Sequence, residues 1–172
     1  MENIDKNAKF LFFWGHQPSK DGSITKACFS QWWQSSFTVD GNSFPTAEHW
    51  MIAQKAKLFN DVAMFDKIIH AKSPAQVKQF GRQVQGFDQK IWEDNRFEIV
   101  VQGNYHKFTQ NKALKEFLLN TKNRVLVEAS PVDKIWGIGL TGDDTKAENP
   151  KLWMGLNLLG FALMEVRDIL KK

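Results

Sequence analysis

The chain has 172 residues, 42% of them hydrophobic, which is about the length of one ordinary domain with enough apolar mass for a core. Its formal charge of +4 and isoelectric point near 9.1 favour anionic partners, but the lysines are spread along the chain, so a small phosphate-bearing ligand suits them at least as well as a nucleic-acid groove. One cysteine, Cys28, excludes an internal disulfide; no run reaches the roughly 20 apolar residues of a membrane span, and the mixed charges of "MENIDKNAKF" do not make a secretory leader, so a cytoplasmic location without membrane partners is expected.

In chain order, residues 1–9 are expected to fray, and 10–172 to form a single domain without repeats or linkers. "KFLFFWG" reads as a short buried strand and "HQPSKDGSITKA" as an exposed loop. "SSFTVDGNSFPTAEHW" carries two short strands about Asp40-Gly41, a hairpin signal, and ends at Thr46, a helix N-cap. Helices follow in "AEHWMIAQKAKLF", in "DVAMFDKIIHA" capped by Asp61 or Asn60, in the segment opened by Ser73-Pro74, and in a long segment capped by Asp88. "NKALKEFLLNT" adds a helix and "RVLVE" a strand, and a last helix sets Leu156, Leu159, Leu163, Val166 and Leu170 at three-and-four spacing. The class is mainly α, bordering on α+β, with a few short strands.

Three constellations are chemically suggestive. Glu48 and Lys55 are seven residues apart on one helix, which returns them to one face within about 20°, beside Ile52 and Phe59; an embedded acid and base there would have shifted proton affinities. In "EASPVDKIWGIGL" a single turn sets Asp133 beside Trp136, with Gly137 and Gly139 able to let backbone approach a ligand; the alternative is a tryptophan in the core and an aspartate capping the turn. Trp92 and Arg96 share a helical face suited to stacking a ring and holding a phosphate, with Lys107 further along, and the last helix carries Asn157 and Arg167 among apolar residues. His16, His49, His70 and His106 have no metal-ligand spacing, and phosphate-loop, dinucleotide and serine-elbow motifs are missing, which leaves metal-free chemistry at a carboxylate.

Taken in order, "FWG", "FSQWWQSSF", "FPTAEHWMIAQKAKLF", "FGRQV", "KFTQN", "LVEASPVDKIWGIGL", "GLNLLG" and "LMEVR" resemble the NADAR family from about Phe10 to Arg167. The resemblance implies a compact, mostly helical domain and N-glycosidase activity with no metal or redox cofactor. The implied substrates are phosphorylated N-ribosides, the ribosylamino-pyrimidines of early riboflavin synthesis, cleaved between base and ribose phosphate in a form of metabolite damage control. Other members are similar in fold but take ADP-ribose off guanine, so ADP-ribosylated nucleic acid is the alternative partner, and a pure ADP-ribose-binding module is a third reading. Position by position, the resemblance implies a pocket of Glu48, Lys55, Trp92, Asp133 and Trp136, joined by Lys107, Asn157 and Arg167. Gln31 and Trp32 depart from the F-S-N-F of some relatives, close to the expected pocket mouth.

Cleaving a C–N glycosidic bond passes through an oxocarbenium-like state that needs a carboxylate near the anomeric carbon, a proton for the departing base and a placed water. The expected catalytic residues are Glu48 near the sugar, Asp133 near the water, and Lys55, which as a neutral amine could instead form a Schiff base with ring-opened ribose. The expected substrate-binding residues are Trp92 and Trp136 for the heterocycle, Arg96 and Lys107 for the phosphate, and Asn157, Arg167 and Gly137 around them.

Overall fold

The computed structural model describes residue 4 and residues 7–172. Among these residues it contains four short strands and six α-helices: β1 (Phe10–Phe13), β2 (Phe37–Val39), β3 (Asn42–Phe44), α1 (Ala47–Leu58), α2 (Val62–Ile69), α3 (Pro74–Gly81), α4 (Gln89–Thr109), α5 (Lys112–Leu119), β4 (Val125–Glu128) and α6 (Leu158–Leu170). The mainly α class is therefore correct. None of the helices among the described residues is long and apolar enough to cross a membrane. The chain divides into two compact units, one running to Ser30 and resuming over Lys112–Lys172, the other made of Gln31–Asn111.

The Gln31–Asn111 unit is built on α1, which contacts α2, α3 and α4. Residues Ala47 to Ala53 and Ala56 are all buried, so this helix is surrounded rather than presenting one stripe. Side-chain caps start the first four helices where the sequence places them: Thr46 for α1, Asp61 for α2, Ser73 with proline at the first position for α3, and Asp88 for α4. Asp40 and Gly41 both take positive φ, +50° and +79°, which matches the twist of the antiparallel β2–β3 hairpin they join. The hairpin packs through Phe37 and Phe44, stacked at 5.7 Å, against the Trp50 indole, which meets Phe44 edge-on at 5.2 Å. A Cβ at Gly103 would lie 2.3 Å from the Trp50 ring, so only glycine lets α4 come this close, and the indole N–H donates to the Ile99 carbonyl at 2.9 Å. The Gln110 side chain bonds both the N–H and the carbonyl of Thr38, standing in for a neighbouring strand.

In the other unit, β1 and β4 form a two-stranded parallel sheet with Phe10 opposite Val125 and Phe13 opposite Glu128, and α6 packs on β4. Of the residues expected to fray, 1–3, 5 and 6 lie outside the described residues. Ile4 and Ala8 pack on the cluster of Val125, Val127, Ile138, Leu140 and Ala147, and the Lys9 carbonyl accepts from Val125 N–H at 2.9 Å. The last helix starts later than its apolar spacing suggests. Leu156 is 46% exposed and outside α6, because its N–H bonds the Lys134 carbonyl and the next residue, Asn157, turns left-handed at φ +52° before Leu158 begins the helix.

Candidate active site

In the Gln31–Asn111 unit, Glu48 occupies the first turn of α1, where the helix dipole favours a carboxylate, and is 5% exposed. Its N–H donates to the Gln31 carbonyl at 3.0 Å. Two turns on, the Lys55 amine donates to the Gly81 carbonyl at 2.8 Å and lies 4.4 Å from the centre of the Phe87 ring and 5.5 Å from that of Trp92. Burial pushes this amine below the ordinary lysine value. Phe59 meets Phe87 edge-on at 5.4 Å, so the apolar surroundings expected from the helix spacing are present. Lys55 and Trp92 are thus brought together, and Phe87 joins them. Sequence reading missed Phe87; its only signal was an aromatic residue set alone in the polar turn after Gly86.

Arg96, one turn beyond Trp92, is half-buried, whereas Lys107 is fully buried with its amine 5.3 Å from the Phe108 ring. Gln31, Glu48, Asn104 and Lys107 are polar residues of this unit each less than 10% exposed, and Asn104 Nδ2 donates to Gln31 Oε1 at 2.9 Å. The buried His49 is accounted for structurally: the Ala71 carbonyl can only accept, so Nε2 carries the proton, and Nδ1 accepts from the Thr46 hydroxyl. Burial pushes its pKa below the usual histidine value, offset in part by the bond to Ala71.

In the other unit, the "SPVDKIWGIG" loop is bound by its own backbone. Asp133 Oδ1 accepts from the N–H groups of Ile135 and Trp136 at 2.9 and 2.8 Å, which is the turn-capping alternative read from the sequence. The half-buried Trp136 and its neighbour Ile135 offer their carbonyls to Leu159 and Leu158 N–H, so the loop caps the start of α6 in place of a side chain. That helix N-terminus has no amide to spare at these positions for a phosphate. At Gly137 a Cβ would lie 2.9 Å from both the Glu128 and Asp133 carbonyls, so the absence of a side chain there accommodates the protein's own backbone.

Asn157 bonds the backbone of β4, and Arg167 bonds one side chain and one backbone carbonyl. Asn157 accepts from Glu128 N–H at 2.9 Å and donates to the Leu126 carbonyl at 3.0 Å, tying α6 to β4. Arg167 donates through Nη1 to the Thr121 hydroxyl and the Arg124 carbonyl, and burial lowers its pKa. Among the described residues, no group of three or more His, Cys, Asp or Glu side chains is placed to hold a metal ion.

Comparison with known proteins adds an independent line. A model of the NADAR domain matches residues 12–171. An N-glycosidase of Acanthamoeba polyphaga mimivirus is 41% identical over 93% of this chain and 95% of its own length. N-glycosidase YbiA of Shigella flexneri is 33% identical over 81% of this chain and 79% of its own. A riboflavin biosynthesis protein of Vibrio vulnificus is 35% identical over 80% of this chain, which spans only 34% of that protein. The NMR structure of the E. coli protein YbiA superposes with a TM-score of 0.75 at 29% identity, covering 95% of this chain and 85% of that one.

Proposed function

The chain belongs to the NADAR family, and on that premise we propose that it is an N-glycosidase that cleaves ribosylamino-pyrimidine phosphates of early riboflavin synthesis and releases ribose 5-phosphate. The observation that carries the activity is 41% identity, along 93% of this chain, with a protein named an N-glycosidase. The name of the Vibrio relative supports the substrate class.

The Gln31–Asn111 unit supplies groups with suitable chemistry. As the C–N bond lengthens, positive charge grows on the ribose ring, and the buried Glu48 carboxylate stabilises it more strongly than an exposed one would. Water adds to the anomeric carbon, loses a proton to a carboxylate, and the departing amine gains one. Lys55, whose burial lowers its proton affinity, is a candidate proton donor to that amine, and the same lowering would suit a Schiff base with ring-opened ribose. Trp92 and Phe87 flank that amine, and stacking of a pyrimidine on such a ring is worth roughly 1–3 kcal/mol. Arg96, half-buried, suits a phosphate better than Lys107, which is fully buried. The proposal also gives the Asp133 charge a part in turnover, in activating water.

The test is release of ribose 5-phosphate from the two early riboflavin intermediates, run beside an oligonucleotide carrying ADP-ribosylated guanine and free ADP-ribose. Release from the intermediates is the expected result. Cleavage of the oligonucleotide alone would transfer the activity to ADP-ribosyl-guanine, and tight ADP-ribose binding with no turnover of either would make the protein a binding module.

A further inference from the structure

Asn104 is fully buried on α4, and the polarity of its amide is fixed by its neighbours. Its Nδ2 donates to the Val100 carbonyl at 2.9 Å and to Gln31 Oε1 at 2.9 Å. A backbone carbonyl can only accept, so the NH₂ group must face it, and both of its hydrogens are then used. Asn104 Oδ1 is left buried with no hydrogen-bond partner among the described residues. An acceptor stranded in this way ordinarily costs stability, and native proteins keep few of them without a use.

The partner side chain is complementary. Gln31 is held through Oε1, so its amide nitrogen faces away from the Asn104 amide. Of the pair, Gln31 reaches the surface, at 8% exposure against 0% for Asn104. The Gln31 backbone carbonyl also receives the N–H of Glu48, which holds the Gln31 main chain against the first turn of α1. The pair therefore holds one buried acceptor without a partner and, on Gln31, an amide donor turned away from it, and the Gln31 backbone joins the first turn of α1, which carries Glu48.

We propose that Gln31 and Asn104 form a substrate-reading amide pair that binds a ribose hydroxyl, with Gln31 Nε2 donating to the hydroxyl oxygen and Asn104 Oδ1 accepting its proton. A single hydroxyl meets both demands, since it donates and accepts at once, whereas a carbonyl or a phosphate oxygen leaves the Asn104 acceptor stranded. The bond also compensates on binding what the unliganded protein lacks. The assignment rests on the N-glycosidase reading for the identity of the sugar.

The experiment compares ribosylamino-pyrimidine phosphate with its 2′-deoxyribosyl counterpart in wild type, Asn104→Ser and Gln31→Met, and measures binding of D-ribose 5-phosphate against 2-deoxy-D-ribose 5-phosphate by calorimetry. A site built to bond a hydroxyl rejects the analogue lacking it, here by roughly 100-fold in kcat/KM, and each substitution should reduce that ratio to below about 10-fold. A merely structural pair would lower thermal stability and leave the ribose-to-deoxyribose ratio unchanged, which would overturn the proposal. Gln31→Met keeps the length of the side chain and serves if Asn104→Ser does not fold. If wild type turns over neither riboside, the enzyme reading fails, and the sugar phosphates then judge the pair by themselves: a ribose preference lost in the variants supports it, and equal binding of the two sugars refutes it.

Discussion

In the turn Ser130–Gly137 the Asp133 carboxylate and the flexible glycine serve the protein's own backbone, while around Lys55 and Asn104 polar groups retain capacity. Asp133 Oδ1 takes two backbone N–H groups, Asn157 bonds the Glu128 N–H and the Leu126 carbonyl of β4, and Gly137 and Gly160 make room for carbonyls. In the other region Lys55 has a depressed proton affinity between two rings, and Asn104 keeps a buried acceptor without a partner. Both stretches look equally functional as sequence, since aspartate, asparagine, glycine and tryptophan are as useful for fixing irregular backbone as for holding a ligand. What separates them is whether their hydrogen bonds are already spent.

The largest effect expected to sharpen this contrast is at Glu48. Glu48→Gln keeps the shape and removes the charge, and should lower kcat by about 10² to 10⁴ while holding Tm within about 3 °C. Wild-type kcat in that variant would remove the Gln31–Asn111 unit's carboxylate from the chemistry.

Substitution in the other region should act on stability instead. A Cβ at Gly160 would lie 2.1 Å from the Leu126 carbonyl, so Gly160→Ala is expected to cost about 3 kcal/mol, a fall in Tm on the order of 10 °C. An unchanged Tm would mean that α6 can lift from β4 at little cost.

Asp133 permits the two roles to be separated. Asp133→Ala should lose about 1–2 kcal/mol with the two N–H bonds, whereas Asp133→Asn keeps an acceptor and should retain nearly wild-type stability. Turnover by the asparagine variant then reports on the charge alone: a loss of roughly 10² supports a part in activating water, and full activity confines Asp133 to holding the loop.

The smallest effect is a pH dependence. His49 has a folded pKa below 6.5, so above that pH both states are neutral and its stabilising contribution is complete; as the pH falls below 6.5 the unfolded chain takes up a proton that the folded one refuses. Stability should fall by at most about 1.4 kcal/mol per pH unit in that window, and His49→Gln should flatten this part of a plot of Tm against pH. Equal slopes in the two proteins would place the acid sensitivity elsewhere.

Local chemistry was legible in the sequence. The caps at Thr46, Asp61, Ser73 and Asp88, the Asp40-Gly41 hairpin and most of the helical segments follow from interactions within a few residues, and so does the turn at Asp133 as one of two stated alternatives. That Glu48 and Lys55 share one helix followed from the helical pattern, and the family from the order of motifs along the chain.

Only the tertiary structure decided what meets across long separations. The parallel pairing of Phe10–Phe13 with Val125–Glu128, Phe87 beside Lys55, Gln31 against Asn104, and the late start of α6 each depend on contacts between distant segments. A periodic pattern specifies which face of a helix is apolar but not what covers it, and a polar residue in the sequence carries no mark of whether a neighbour will use its hydrogen bonds. Burial and the direction of each donor settle that, and both arise only when the segments pack.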